Sequence, residues 1–273
     1  MNKKVKKFLN KKNRAKVICL TAYSKNVASI LDKHCDLVLV GDSLGSVLYD
    51  YKSTKEVTLD TMINHSKSVR LGVKKSLMVV DMPFNTYRNP KEALKNAKLV
   101  IKKTKCDAVK LEGGKEIVHI IKHLIKNKIN IMGHIGLLPQ KVRSKKDYRI
   151  KGKTLSEKNQ IINDLKRIQE SGVFAIVLEC IKTSTAKKIT EILKIPTIGI
   201  GAGNLTDGQV LVLHDLLGMK SKEYIDAKFV KRYDQQYETT LQALKSYKSD
   251  IELRKFPTEN HSYDIGSNIS DFL

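Results

Sequence analysis

Apolar and charged stretches alternate along most of the chain. Eight short runs rich in Val, Ile and Leu are predicted to be strands: Val17–Tyr23, Asp36–Gly41, Leu77–Asp81, Ala108–Glu112, Ile129–His134, Ala175–Glu179, Pro196–Ile200 and Gln209–Leu213. Their apolar residues follow one another directly instead of alternating with polar ones. Unbroken apolar runs are typical of strands that are buried on both faces of a parallel sheet.

Amphipathic segments separate these runs and are predicted to be helices: Ser24–His34, Thr58–Leu71, Asn89–Lys103, Lys115–Asn127, Ser156–Ser171 and Thr183–Leu193. Asn89 is a suitable N-cap before Pro90, Ser156 is a second candidate N-cap, and Gly172 is suited to end the preceding helix. Eight strands that alternate with helices predict an α/β fold, a (β/α)8 TIM barrel. An open, doubly wound sheet is the alternative, because strand count alone does not close a barrel.

The chain of 273 residues is expected to form a single barrel domain over 1–273. Residues from about 222 to 250 are predicted to form C-terminal helices packed outside the barrel, and a polar tail follows from about Phe256. No apolar run reaches the roughly 18–20 residues that span a bilayer. The basic segment Met1–Lys16 precedes an apolar run too short for a signal peptide, so a cytoplasmic location and no membrane partner are expected.

Charge and cysteine content restrict the partners and the redox chemistry. The formal net charge of +23 comes almost entirely from lysine spread along the predicted helices, and aromatic residues make up only 6% of the chain. A nucleic-acid-binding protein stays an alternative, but without an aromatic stacking platform we expect no nucleic-acid partner and a solvated cationic surface instead. The four cysteines are widely spaced, which predicts reduced, structural thiols.

Charged residues stand where several of the predicted strands end. The residues in these positions are Asp42, Asp81, Lys110, Glu112, His134 and Glu179. Because the carboxyl ends of all barrel strands meet at one face, these side chains should surround a single cavity. A single Asp could equally cap a helix, and a single His could be a core residue. So many charges in one place would be costly to bury without a cation or a substrate between them.

The chemistry of this cluster indicates the kind of ion that it would hold. Oxygen ligands without a second His or Cys nearby favour a hard divalent cation such as Mg²⁺ over zinc. Beside a keto acid, such a cation would polarise the carbonyl group and stabilise an enolate. Glu179 could then remove the α-proton as a general base. The glycine-rich stretch Gly199–Asn204 lacks the spacing of a dinucleotide-binding motif. It is predicted to be a tight turn that lets a ligand approach the backbone, and a turn that merely needs positive φ angles is the alternative.

Ordered sequence blocks resemble those of the ketopantoate hydroxymethyltransferase family. The matching blocks are LTAY (Leu20–Tyr23), VGDSLGSV (Val40–Val47), DMPFNTY (Asp81–Tyr87), VKLEGG (Val109–Gly114), GHIGLLPQ (Gly133–Gln140), IVLEC (Ile176–Cys180), IPTIGIGAGNLTDGQVLVLHDLLG (Ile195–Gly218) and FPTENHSY (Phe256–Tyr263). They cover roughly residues 17–263, and their combination is specific. Two stretches depart from the family pattern, namely LYDYKST (Leu48–Thr54) and Leu138. Across the first stretch, the resemblance does not extend to the loop near the folate side. Neither stretch contains a proposed ligand.

The resemblance implies a Mg²⁺-dependent barrel of the phosphoenolpyruvate/pyruvate type. Such an enzyme transfers the one-carbon unit of 5,10-methylenetetrahydrofolate to 3-methyl-2-oxobutanoate, gives 2-dehydropantoate, and forms a homo-oligomer, commonly a decamer. Carried over to this chain, Asp42 and Asp81 resemble the metal carboxylates, with Glu112 supporting the metal shell. The keto-acid contacts would be Asp42, Ser43, Asp81 and Lys110, the proton acceptor would be Glu179, and His134 would only line the site.

Two alternatives remain open at this point. Lys110 could form a salt bridge with Glu112 in place of compensating enolate charge. The same barrel could also carry a carbon–carbon lyase or a phosphoenolpyruvate mutase-like enzyme. Those enzymes have a reactive Cys in a Lys–Cys–Gly type of loop, and none of the four cysteines of this chain has that setting.

Overall fold

The computed structural model describes residues 2–221 and 223–263, and its central feature is a closed parallel barrel. Its strands are Val17–Thr21 (β1), Leu37–Val40 (β2), Leu77–Asp81 (β3), Ala108–Glu112 (β4), Ile131–Gly136 (β5), Ala175–Glu179 (β6), Thr197–Ile200 (β7) and Gly208–Leu211 (β8). Each strand pairs in parallel with the next one in the chain, and β8 pairs with β1. The predicted (β/α)8 barrel is therefore confirmed, and the open-sheet alternative is wrong.

The α-helices follow the strands closely. Among the described residues they are Lys3–Leu9 (α1), Lys25–Leu31 (α2), Leu44–Leu48 (α3), Leu59–Gly72 (α4), Pro90–Thr104 (α5), Val118–Lys126 (α6), Leu155–Glu170 (α7), Thr183–Ile192 (α8), Leu213–Leu216 (α9) and Gln236–Glu252 (α10). The six predicted helices are confirmed with shifts of a few residues at their ends. Of the helices predicted for 222–250, only α10 forms, since residues 223–235 contain no helix.

The predicted helix termini are correct at two of three positions. Asn89 Oδ1 accepts a hydrogen bond from Glu92 N at 2.9 Å, with Pro90 in the first helical position. Gly172 follows Ser171, the C-cap of α7, and has φ +99°, which an L side chain rarely adopts. The prediction of Ser156 as an N-cap is wrong. The cap is Thr154, because its hydroxyl stands three residues before Glu157 and accepts from Glu157 N at 3.1 Å.

An unpredicted helix, α1, closes the amino-terminal end of the barrel. It carries two buried apolar residues, Val5 and Phe8, within an otherwise basic segment. They belong to one core cluster with the first residues of several strands, and the Phe8 ring meets that of Phe174 edge to face at 5.8 Å. Because this end of the barrel is filled by apolar side chains, polar chemistry is left to the opposite, carboxyl-terminal end.

The described residues fall into two compact units. One contains the barrel and comprises residues up to 213 together with 228–230; the other comprises 214–227 and residues from 231 onward. A single domain therefore stays a prediction. Of the predicted polar tail, residues 256–263 are all exposed, and 264–273 lie outside the described residues.

Two further predictions concern the membrane and the cysteines. Over the described ranges, no helix combines the length and the apolar character needed to cross a bilayer. All four cysteines are free thiols, and three of them, Cys19, Cys35 and Cys106, are buried. Burial raises the pKa of the Cys35 and Cys106 thiols to about 11. The prediction of unpaired thiols is thus confirmed, and a structural role of the partly buried Cys180 stays a prediction.

Candidate active site

The charged residues at the strand ends converge at the carboxyl-terminal face of the barrel, as predicted. Parallel register sets their neighbours, because it places Asp81 beside Lys110 and Glu112 beside His134 on adjoining strands. Glu179 ends β6 opposite Gly136 of β5. Asp42, Asp81, Lys110, Glu112 and His134 are each at most 4% exposed. The barrel thus encloses a buried group of ionisable side chains.

Asp42 and Asp81 form the acidic side of the site. Asp42 N donates to Asp81 Oδ2 at 3.1 Å, so that the two carboxylates are held next to each other. Lys110 Nζ lies 3.1 Å from Asp81 Oδ1. The ion pair of Lys110 is therefore with Asp81, and the predicted alternative of a salt bridge to Glu112 is not what forms.

Ser43 follows Asp42 at the start of the short helix α3. Its hydroxyl lies 2.9 Å from the hydroxyl of Tyr23, which follows β1 in the LTAY block. Burial is the main cause that raises the pKa of Tyr23 well above its usual range, so the phenol stays protonated. The contact fixes the orientation of Ser43 beside the two acidic residues.

His134 has a larger part in the site than the predicted lining role. Its Nδ1 lies 3.4 Å from Glu112 Oε1 and 3.2 Å from Lys110 Nζ, while its Nε2 lies 3.2 Å from Glu179 Oε2. Burial and Lys110 lower the pKa of His134, but Glu112 and Glu179 outweigh both and raise it to about 9. The imidazole of His134 therefore connects the carboxylate of Glu112 with that of the predicted base, Glu179.

Two polar residues of the site escape the sequence prediction because they lie on loops after the strands. Gln140 is buried, and its amide Nε2 donates to Asp42 Oδ2 at 2.8 Å. The Tyr87 hydroxyl donates to Gln140 Oε1 at 2.5 Å. Both residues stand inside family blocks, DMPFNTY and GHIGLLPQ, but no strand-end argument points to them. Membership in a motif is the signal that could have identified them.

Charge in the site is unbalanced toward negative. Burial raises the pKa of Asp42 well above its ordinary value, and the charges of Asp81 and Glu112 raise it further. Burial also raises the pKa of Asp81, against the opposing effect of Lys110. The pKa of Glu112 is lowered, since His134 and Lys110 outweigh the effect of its burial. A buried pair of carboxylates whose ionisation is disfavoured is an environment that an added cation would stabilise.

These residues fit a hard divalent cation. Within 2–221 and 223–263, no three His, Cys, Asp or Glu side chains are arranged as a complete metal cage. Asp42 and Asp81 nevertheless supply two adjacent carboxylates. Mg²⁺ is usually bound by one or two carboxylates and keeps several water or substrate oxygens as its other ligands. The oxygen donors therefore suit Mg²⁺ without a third protein ligand.

The glycine-rich turn and the two divergent stretches lie around this face. Gly201 and Gly203 have φ of +62° and +81°, which confirms the predicted turn. In the divergent loop Leu48–Thr54, the Tyr49 hydroxyl lies 2.8 Å from His65 Nε2, and its ring stacks on Tyr51. The divergence therefore introduces an aromatic pair beside α3 and leaves the acidic residues unaltered.

Gly136 controls the backbone position of Glu179, which makes Gly136→Ala a test of the site's framework. Gly136 has φ +106°, and a Cβ there would lie 2.1 Å from Glu179 O. A non-glycine residue in such a conformation costs about 1–3 kcal/mol before the clash is added. At about 2–4 °C per kcal/mol for a protein of this size, we expect the melting temperature to fall by roughly 2–12 °C in a thermal unfolding experiment. A melting temperature within about 1 °C of wild type would show that β5 can relax there.

The chain is similar to known proteins of one family. The sequence model of the family described as ketopantoate hydroxymethyltransferase matches residues 2–259. A protein of Pelagibacter ubique named 3-methyl-2-oxobutanoate hydroxymethyltransferase is 61% identical over 96% of this chain and 100% of its own length. The protein of that name from Anaplasma marginale is 45% identical over 96% of this chain and 94% of its own.

A solved structure supports the type of barrel. The phosphoenolpyruvate phosphomutase from Streptomyces platensis superposes with a TM-score of 0.61 over 91% of this chain and 86% of its own, at 11% identity. At that identity the likeness concerns the fold alone, and that fold is the predicted (β/α)8 barrel. The match of the family model over nearly the whole chain and the identity with curated transferases show that this protein is an enzyme of the ketopantoate hydroxymethyltransferase family.

Proposed function

We propose that this enzyme transfers the one-carbon unit of 5,10-methylenetetrahydrofolate to C3 of 3-methyl-2-oxobutanoate, giving 2-dehydropantoate for pantothenate synthesis. The observation that carries the proposal is the buried group of Asp42, Asp81, Lys110 and Glu112 next to the less buried Glu179. Carboxylates for a cation, a lysine for developing charge and a separate base are the groups that enolate formation from a keto acid needs. The names of the curated relatives supply the identity of the substrate.

In this proposal Asp42 and Asp81 hold Mg²⁺, and Glu112 supports the shell around it. When bound, the cation polarises a carbonyl group as a Lewis acid and stabilises the negative charge of an enolate. Glu112 Oε2 accepts from Gln140 N at 3.1 Å, and its Oε1 lies near His134. These contacts fix the Glu112 side chain beside Asp42 and Asp81, where it would help to orient the groups that hold the cation.

The remaining residues bind the keto acid and move the proton. Asp42, Ser43, Asp81 and Lys110 contact the substrate, and Lys110 compensates the negative charge that develops on it. Glu179 takes the proton from C3, and C3 bonds to the methylene carbon of the ring-opened folate iminium. The bond between that carbon and the folate nitrogen then breaks, and water gives its hydroxyl group to the carbon and its proton to the nitrogen as tetrahydrofolate leaves. The proton on Glu179 replaces the one that the folate took up when its ring opened, which restores the carboxylate. Positioning and preorganised charge would supply most of the rate acceleration.

The direct test is product formation by the purified enzyme. After chelator treatment, the protein is assayed for 2-dehydropantoate with both substrates and, in turn, Mg²⁺, Mn²⁺ or Co²⁺. We expect product only when folate and a divalent cation are both present. Absence of product with all three metals would overturn the proposed reaction. Product formation in excess chelator would overturn the role of the metal alone.

An apolar stripe on α10 supports a homo-oligomer, for which we propose the decamer typical of the family. No residue of α10 is buried, yet one side of the helix carries large apolar side chains at helical spacing. These residues are Tyr237, Leu241, Leu244, Tyr247 and Ile251. An exposed apolar stripe of this length is typical of a surface that is covered by another chain.

Replacing two leucines of this stripe by lysine should weaken the assembly. For the double variant Leu241→Lys, Leu244→Lys we expect a smaller mass in light scattering than for wild type, because buried ammonium groups would be unpaired. The double variant Gln242→Lys, Ser246→Lys adds the same two charges on the other side of α10 and serves as the control. A wild-type mass near 30.9 kDa would contradict the homo-oligomer. An unchanged mass in the double variant would contradict this surface.

A further inference from the structure

Gln140 occupies a central position among the acidic residues although it carries no charge. It lies in the short turn Pro139–Lys141 after β5 and is 3% exposed. Its Nε2 donates to Asp42 Oδ2 at 2.8 Å and to Met82 O at 3.0 Å. Its backbone N donates to Glu112 Oε2 at 3.1 Å. One residue therefore contacts segments that follow β2 and β3 and the end of β4.

The surroundings of Gln140 fix which way its amide points. The NH₂ group faces two acceptors, Asp42 Oδ2 and Met82 O, while Oε1 faces the Tyr87 hydroxyl, which donates at 2.5 Å. A flipped amide would place Oε1 against two oxygen atoms and would leave two buried acceptors without a donor. The Tyr87 hydroxyl also accepts from Glu112 N at 3.4 Å and faces a second acceptor, Glu112 O, at 3.3 Å. Its single proton goes to Gln140 Oε1, which is much the closer acceptor. The donor to Asp42 is thus determined by the network.

This hydrogen bond restricts the carboxylate of Asp42. With Oδ2 held by Gln140, the carboxylate cannot rotate freely about its last bond, and Oδ1 keeps its lone pairs for another ligand. A hydrogen bond from a neutral amide also stabilises a buried carboxylate without neutralising its charge, whereas a lysine in that place would compete with a cation. Gln140 therefore orients Asp42 and preserves its negative charge.

We propose that Gln140 is a positioning residue that sets the metal affinity of Asp42, with Tyr87 fixing its amide. The inference rests on the proposed function, in which Asp42 and Asp81 hold Mg²⁺. Partners of metal ligands typically change metal affinity by about 10–100-fold when they are replaced. Gln140→Met keeps the length of the side chain but removes the amide NH₂ group and the amide oxygen. It should therefore lose the contribution of Gln140 to metal affinity.

The experiment measures Mg²⁺ binding directly, without turnover. Chelator-treated wild type, Gln140→Met, Tyr87→Phe and Asp42→Asn are titrated with Mg²⁺ in a calorimeter, and far-UV circular dichroism checks their folding. We expect the Kd for Mg²⁺ to rise about 10-fold or more in Gln140→Met. Tyr87→Phe, which leaves the amide present but removes its fixing hydroxyl, should lie between wild type and Gln140→Met. The exposed Gln160→Met is the matched control and should bind as wild type does.

A second readout separates positioning from general damage to the structure. Over a Mg²⁺ series, the Mg²⁺ concentration that gives half of the maximal rate should rise in Gln140→Met by the same factor as the Kd, because excess metal compensates a loss of affinity but not a distorted site. Wild-type affinity in a folded Gln140→Met variant would overturn the inference. If that variant does not fold, wild-type affinity in Tyr87→Phe would do the same. If wild type binds no Mg²⁺, the metal assignment of Asp42 is wrong and the inference falls with it.

Discussion

The Glu179→Gln variant is expected to exchange the C3 hydrogen of the keto acid into D2O about 100- to 10,000-fold more slowly than wild type in the presence of Mg²⁺. Glutamine fills the same space, but it cannot take up a proton. His134 Nε2 lies 3.2 Å from Glu179 Oε2, so the position of the side chain should persist. The loss would therefore reflect the missing base and not a rearranged site.

Exchange is followed by NMR without folate, so that only the proton transfer is measured. Glu170→Gln changes a glutamate at the end of α7, away from the site, and should exchange as fast as wild type. Exchange by Glu179→Gln within about twofold of wild type would remove Glu179 as the proton acceptor, since general-base catalysis contributes far more than that. His134, the other titratable side chain in contact with Glu179, would then be the next residue to test.

The Asp81→Asn variant is expected to lose both Mg²⁺-dependent turnover and stability. Asp81 is 3% exposed, accepts from Asp42 N through Oδ2, and pairs with Lys110 through Oδ1. An amide has only one acceptor atom, so either Asp42 N or Lys110 must face a donor NH₂ group. Leaving a buried charge without its partner costs about 3–5 kcal/mol, and the nearby Asp42 carboxylate should keep this loss at the lower end.

Two measurements check this prediction separately. Urea unfolding gives the free energy of unfolding, which should fall by about 3 kcal/mol, and initial rates over a Mg²⁺ series give the activity. Asp60→Asn, at an exposed position in the first turn of α4, is the control and should change neither quantity appreciably. Full activity of Asp81→Asn at low Mg²⁺ would contradict its assignment as a metal ligand. Unchanged stability would show that Lys110 finds another partner.

Much of the site is predictable because a parallel barrel has a simple geometry. Strands buried on both faces produce unbroken apolar runs, and the first polar residue after such a run lies at the carboxyl-terminal face. This rule identifies Asp42 and Asp81 from the sequence alone, and it also places Glu112 and Glu179 at the correct end of their strands. The same rule does not reach residues on loops, since a loop can return toward the barrel from a distance of several residues. Gln140 and Tyr87 escape prediction for this reason.

The amino-terminal segment shows a second limit of prediction. Its lysines dominate the pattern between Met1 and Lys16, so the two apolar residues Val5 and Phe8 give no clear amphipathic signal. In the folded chain both are buried in the core at the closed end of the barrel. A helix of seven residues has little stability alone, and it forms where packing against the strands supplies the stabilisation.

The sequence by itself determined the strand and helix order, the family, and the residues that face the cavity, because local periodicity and motif content are properties of neighbouring positions. Tertiary structure alone decided which charges meet. The register between β3 and β4 places Lys110 beside Asp81, so that Lys110 pairs with Asp81 and not with Glu112. The alignment of β5 with its neighbours sets His134 between Glu112 and Glu179. Such contacts depend on how distant strands align across the sheet, which no local pattern of residues specifies.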